Sequence, residues 1–220
     1  MTNAKDSPPK DTRPRTYVYV DGFNLYYGGL RGTRDKWLNL RALLERVMSK
    51  NRIEKIWYFT ARVKARDGDR REPIRQQTYI RALETLSGLE VEYGFFRREI
   101  RELRRADDMG TLQVWLPQEK GSDVNLATQL MDDFYNGRFE AASVLSNDSD
   151  LVAPIKIINA QRSRPVGLMT PPKWKNTPAF ALRTVAAFHH RITMAAVRDC
   201  QFPEELLAQD GQTLRRPDGW

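Results

Sequence analysis

What most constrains this chain is an alternation of two periodicities. Short β-branched and aromatic runs at 16–20, 53–60, 89–99, 141–145 and 165–169 are separated by stretches with helical spacing. Leu40, Leu43, Leu44 and Val47 form one such stripe; Val124, Leu126, Ala127, Leu130, Met131 and Phe134 form another. Pro73 opens a further helix that Gly88 breaks, and 150–160 reads as one more. Strands that alternate with helices need crossover connections, and crossovers cover both faces of a sheet. The pattern predicts an α/β fold with a Rossmann-like, mainly parallel sheet and helices on both faces.

The polar, proline-rich residues 1–15 read as a flexible tail, 16–190 as one domain and 191–220 as an extension. Residues 97–110 lack a clean period and read as a loop or a protruding hairpin tip, with 111–117 as its returning strand. The segment 179–197, "AFALRTVAAFHHRITMAAV", reads as helical, and 201–220 as mostly irregular.

Among the 220 residues, Lys and Arg number 36 against 28 acids, a net charge of +8. Such a surface attracts polyanions, nucleic acid above all. The single Cys200 excludes an internal disulfide framework and a zinc site built from several thiolates. His189 and His190 are adjacent, which on a helix points them to different faces and makes them a poor acid and base pair. "YYGGLRGT" has neither a GxGxxG nor a Walker pattern, so nucleotide cofactor binding is unsupported. With no long apolar stretch and no apolar core in the first 15 residues, a soluble cytoplasmic protein without a membrane partner is expected.

The chemistry concentrates in carboxylates at element ends. Asp21 closes the first strand, Asp123 opens a helix, and Asp148 and Asp150 stand between the strand 141–145 and its following helix. In a parallel α/β sheet these positions share the carboxyl edge, where ligands bind. Each aspartate alone is also an ordinary turn, cap or first-turn acid. Together, at equivalent ends, they repel unless a cation lies between them, and hard oxygen ligands point to Mg²⁺ or Mn²⁺.

Three blocks, "YVYVDGFNLYYG", "EKGSDVNLATQLM" and "VLSNDSDLVAPI", in this order resemble the NYN domain, more narrowly the LabA-like branch of the PIN-like nuclease superfamily. The likeness covers about 16–170, and the closing "FPEELLAQDGQTLRRPDGW" is similar to the tail after such domains. It implies a PIN-like fold and a metal-dependent ribonuclease, with acidic positions at Asp21, Asp123, Asp148 and Asp150 and with Asn24 beside them. The preference for RNA over DNA comes from this resemblance alone. Within that frame Asp21 and Asp148 are the expected primary ligands, and Asp150 reaches the ion directly or through water. Asp123 holds a second metal or orients the attacking water, and the Asn24 amide bonds a carboxylate or a phosphate oxygen. Lys120 either contacts the scissile phosphate or offsets local charge, and Ser146 and Ser149 either cap the following helix or bond a phosphate.

For RNA, single-stranded or structured, the candidate grips are Arg97, Arg98, Arg101, Arg104 and Arg105, with Arg70 and Arg71 in a second basic stretch that includes Arg62, Lys64, Arg66 and Arg75. Tyr26, Tyr27, Phe95 and Phe96 could stack bases. The competing reading of these runs is a solvated face. Two other functions fit the same residues: a non-catalytic nucleic-acid-binding adaptor, and a small-molecule enzyme reusing the cleft. Against an aspartate-based phosphatase, "DGFN" lacks a second aspartate two residues on. Trp174, Phe180 and Phe188 pack either on the core or on a second copy in a homo-oligomer.

Overall fold

The computed structural model describes residues 11–65, 68–107, 109–172 and 179–220. Its organising element is β1 (Arg15–Asp21), whose alternate residues are apolar on both sides. Val18 and Val20 join one core layer, and Tyr17 and Tyr19 the other. A strand covered on both faces belongs in the middle of a sheet. It pairs in parallel with β2 (Arg52–Ala61) on one side and β5 (Ala141–Leu145) on the other. Beyond β2 come β3 (Leu89–Arg104) and β4 (Thr111–Lys120); beyond β5 come β6 (Val166–Thr170) and β7 (His189–Arg191). The order is β4-β3-β2-β1-β5-β6-β7, parallel except for β4.

Helices cover both faces. After β1, α1 (Gly22–Leu25) runs on as a π-helical turn, Tyr26–Leu30. The leucines of α2 (Leu40–Val47) and Tyr79 and Leu83 of α3 (Glu72–Glu84) pack with Val18, Val20, Ile56 and Tyr58. On the opposite face α4 (Ser122–Tyr135) and α5 (Val152–Ala160) bury Leu126, Leu130, Ile155 and Ile158 against Tyr19, Phe59, Val144 and Leu168. A buried charge sits in that layer. Asp133 accepts hydrogen bonds from the Tyr19 hydroxyl at 2.7 Å, Trp57 Nε1 at 3.0 Å, Gln129 Nε2 at 2.9 Å and the Arg138 guanidinium at 2.7 Å. Its oxygens are thereby satisfied, as a buried carboxylate requires.

One sequence expectation changes here and two become more definite. Of the two readings of 97–110 the hairpin holds: β3 stays extended to Arg104 and forms a long antiparallel arm with β4, the expected returning strand. The arm is exposed on both faces, so no one-sided apolar period marks it. The segment 179–197 is not one helix: α6 (Phe180–Val185) and α7 (Met194–Asp199) flank β7, a strand too short to announce itself by period. His189 and His190 therefore alternate on a strand, not a helix. Finally, 201–220 carries a small hairpin, β8 (Glu205–Leu207) and β9 (Thr213–Arg215). Phe202, Leu214 and Trp220 tie this tail to the layer of α2 and α3, and Cys200 is buried there. Phe188 joins that layer too, whereas Phe180 is 82% exposed and Trp174 lies outside the described residues. Of the expected tail, 1–10 is likewise outside them, and Arg15 already begins β1. Among the described residues no helix is long and apolar enough to cross a membrane.

β3 changes partner midway. Residues 89–94 pair with β2 and 95–104 with β4. Gly94 marks the change: a Cβ there would lie 2.6 Å from Glu119 Oε1 and from the Lys120 carbonyl, and 2.9 Å from the Ser122 nitrogen. Only glycine lets the arm's base and the start of α4 approach so closely.

Candidate active site

From β1 the sheet grows one way through β2, and from β5 the other way through β6. The connections diverge there and open a crevice at the carboxyl ends of these two strands. Asp21 ends β1 and is 3% exposed. Its Oδ1 accepts from the Asn24 backbone nitrogen at 2.9 Å, and Oδ2 accepts from Asn24 Nδ2 at 2.6 Å and Ser146 Oγ at 3.0 Å. Gly22 next to it is demanded by packing, since a Cβ would meet the Tyr58 ring at 2.7 Å and the Phe59 carbonyl at 2.9 Å. Asn24 Oδ1 in turn accepts from the Asn147 nitrogen at 3.2 Å, and Ser146 Oγ from the Asp148 nitrogen at 3.1 Å. One chain of polar bonds therefore fixes the ends of β1 and β5 against each other.

Asp148 caps the short 3₁₀ turn Ser149–Leu151, accepting from the Asp150 nitrogen at 2.9 Å. The cap is thus the carboxylate and not a serine: Ser146 bridges Asp21 to Asp148, and Ser149 is the first residue of the turn. The third wall is the start of α4, with Asp123 in its first turn after Gly121 at φ 94°. Glu119, on the arm, accepts from the Ser122 nitrogen at 3.1 Å. These elements enclose a cleft of about 330 Å³ lined by Asp21, Asn24, Phe96, Glu119, Asp123 and Asp148.

Electrostatically the cleft is crowded with anions. Burial, then Asp21, Asp148, Glu119 and Asp150 in turn, push the pKa of Asp123 up to about 6. Burial also raises that of Asp21; the hydrogen bonds from Asn24 and Ser146 oppose the shift, and Asp148 adds to it. Among the described residues no group of three or more His, Cys, Asp or Glu already surrounds one point as a ligand set. The donors nevertheless fit a hard divalent ion, being carboxylate and amide oxygens free of sulfur and imidazole, and such an ion keeps several waters of its own.

The structure brings Asp21, Asn24, Asp123 and Asp148 to this cleft and leaves two expected residues outside its lining. Asp150 is exposed at the rim. Lys120 is exposed and lies opposite Phe95, on the other face of β4 from Glu119. Glu119 was missed in the sequence because four residues before Asp123 it passes for local charge; strand alternation is the signal that would have found it.

Alternation also sorts the arm's arginines. Arg98 and Arg104 share a face with Phe96, Ile100, Trp115 and Glu119, whereas Arg97 and Arg101 lie on the other face, each 3.6 Å from Glu99. Arg105 pairs with Asp107. Beside the cleft, Lys64, Phe96, Arg98 and Trp115 line a groove of about 210 Å³. Arg70 and Arg71 are exposed in the turn before α3 and reach neither space; Arg62 lies over Tyr93 at 5.0 Å, and Arg66 is outside the described residues. Phe95, 61% exposed, faces away with Lys120. Tyr27 stacks on Phe23 at 6.4 Å, and Phe23 meets Phe96 edge-on at 5.9 Å.

A mainly parallel α/β sheet with acids gathered at its switch point is the architecture of the PIN-like nuclease superfamily. Residues 15–191 match the NYN domain, and the chain belongs to that family. A curated relative, "6-hydroxy-3-succinoylpyridine 3-monooxygenase HspA" of Pseudomonas putida, is 29% identical over 96% of this chain and 77% of its own length. A crystal structure of a protein of unknown function, VPA0982 of Vibrio parahaemolyticus, shares the fold at 14% identity, with a TM-score of 0.51 over 82% of this chain and 94% of that one.

Proposed function

We propose that this chain is a divalent-metal-dependent ribonuclease that hydrolyses phosphodiester bonds in its acidic cleft. The observation that carries the reading is the convergence of Asp21, Asp123, Asp148 and Glu119, whose mutual repulsion a cation relieves. Asp21 and Asp148 would hold Mg²⁺ or Mn²⁺, with Asp123 and Glu119 on the facing wall. Such an ion supplies Lewis acidity to a phosphoryl oxygen and lowers the pKa of a bound water. The chain's own contribution is orientation: the Asn24 and Ser146 bonds fix Asp21, and the Ser146 link fixes the backbone of Asp148. The groove of Lys64, Phe96, Arg98 and Trp115 offers phosphate contacts and a stacking ring to a strand leaving the cleft. The choice of RNA rests on likeness to the NYN family.

The test is calorimetric titration of Mn²⁺ into metal-free wild type and a folded Asp148→Asn variant, followed by RNA cleavage assays. Saturable binding and cleavage to 5′-phosphate products are expected for wild type, both lost in the variant. Equal cleavage by the two proteins would sink the reading, and an RNA gel shift without cleavage under either metal would move it to a non-catalytic adaptor. A second reading, a small-molecule enzyme acting on a pyridine as the Pseudomonas relative's name states for that protein, is favoured by an aromatic cavity beside the cleft. RNA cleavage that Asp148→Asn abolishes decides against it.

A further inference from the structure

Behind the wall formed by Phe23 and Tyr27 lies a second space, of about 320 Å³. Six aromatic rings, Phe23, Tyr26, Tyr27, Tyr58, Tyr79 and Trp220, line it together with the charged Lys36, Asp69, Glu72, Arg75 and Asp218. Tyr79 and Trp220 meet edge to face at 5.7 Å, and Tyr26 and Tyr27 do so at 5.2 Å. A volume near the lower end of the usual range of about 300–1,000 Å³ suits one ring system with a short substituent. It does not suit a dinucleotide.

The polar groups within it are unevenly used. Tyr79 donates its hydroxyl to the Leu38 carbonyl at 2.9 Å. Gln76 is consumed by the Ala61 carbonyl and the Val63 nitrogen, each at 2.9 Å. The Tyr58 hydroxyl, on a residue only 6% exposed that lines the cavity, donates to no described group and is not among the sealed polar atoms that lack a partner. Thr60, 2% exposed, has only a 3.5 Å contact from the Gln76 amide and donates to no described group. Two hydroxyls on a space partly walled by rings suit a flat molecule with acceptors on its edge.

We propose that this cavity binds a planar nitrogen heterocycle, its faces against the aromatic walls and its acceptor edge on the Tyr58 and Thr60 hydroxyls. That chemistry has two sources, a nucleobase of the nucleic-acid substrate or a free heterocyclic compound. The first deepens the ribonuclease reading and rests on it. Phe23 and Tyr27 line both spaces, and Gly22, the neighbour of Asp21, packs directly on Tyr58, so a base held here belongs to a nucleotide beside the cleft. The second source does not need that reading.

Uridine, adenosine and nicotinamide, all free of phosphate and net charge, are titrated calorimetrically into the chelator-treated full chain. At least one is expected to bind with 1:1 stoichiometry and a Kd of about 1 mM or tighter. Tyr58→Phe, which keeps the ring, is expected to weaken that binding about fivefold to tenfold, and Trp220→Ala about tenfold. Arg101→Ala, on the far face of the arm, should leave it unchanged. A nucleoside ligand upholds the proposal with a base as its source; binding of nicotinamide alone upholds it with a free heterocycle. No saturable binding of any probe, or binding that both cavity variants leave intact, overturns it. RNA cleavage measured on the same samples separates the two ideas. Cleavage without ring binding removes the cavity proposal only, and ring binding without cleavage removes the ribonuclease only.

Discussion

Without divalent cations and at pH 8, Asp123→Asn is expected to make this protein more stable. Folding raises the pKa of Asp123 from the ordinary 3.8 to about 6, through burial and the anions around it. An acid shifted upward by the fold is penalised only when ionised. The penalty is absent below about pH 3.8, grows as pH rises, and is complete above about 6. At 1.36 kcal/mol per pH unit that interval sets a ceiling of about 3 kcal/mol. Asp123 is only half-buried, and water screens its neighbours, which reduces the figure to about 1–2 kcal/mol. Losing a favourable acid in the first turn of α4 takes back about 0.5 kcal/mol. A net gain of about 1 kcal/mol remains, or about 3 °C in Tm for a chain of this size. The assay is thermal and urea unfolding of wild type and variant at pH 8 and pH 4, with chelator and again with Mn²⁺. Wild type should lose stability relative to the variant as pH rises through the interval, and recover it when Mn²⁺ binds. An Asn variant no more stable at pH 8, or a gain that persists at pH 4, would refute the reasoning.

Other outcomes follow from the same geometry. Asp133→Ala leaves the Tyr19 hydroxyl and Trp57 Nε1 without their acceptor and is expected to cost about 3–4 kcal/mol in urea unfolding; a loss under about 1 kcal/mol would contradict the buried network. Gly94→Ala pushes on Glu119 and on the start of α4, so a loss of about 1–3 kcal/mol is expected together with weaker Mn²⁺ binding by titration. Wild-type values for both would show that the arm's base is not so tightly placed. Arg98→Ala should weaken RNA binding and lower its salt slope by about 1, while Arg101→Ala on the far face changes neither. Equal effects from the two would overturn the division of the arm by face.

Legibility in the sequence followed burial. The central strands could be read because both faces of β1, β5 and β6 are apolar and buried. The arm could be read only in part, as a strand, a hairpin tip and a returning strand, and its length was hidden because a strand exposed on both faces carries charges and rings without a one-sided period. At the cleft, residue types at element ends were enough to gather Asp21, Asp123 and Asp148, and the resemblance to the family added Asn24. Glu119 and Lys120 show what was hidden. Adjacent in sequence, they fall on opposite faces of β4, and only the register with Phe96 and Phe95 tells which one faces the acids. The serines were hidden for a similar reason: whether Ser146 caps a turn or bridges two strand ends depends on β5 lying beside β1.

The position of β1 has a kinetic consequence. With β2 and β5 hydrogen-bonded to its two edges, its amides are shielded on every side, and their exchange with deuterium requires opening of the whole sheet. Asp148 instead caps a single 3₁₀ turn, Ser149–Leu151, on which Asp150 stands exposed, and the Ser146 hydroxyl ties its backbone nitrogen to Asp21. Amides of the turn are therefore expected to exchange faster than those of β1, and loss of the Ser146 hydroxyl to widen that gap.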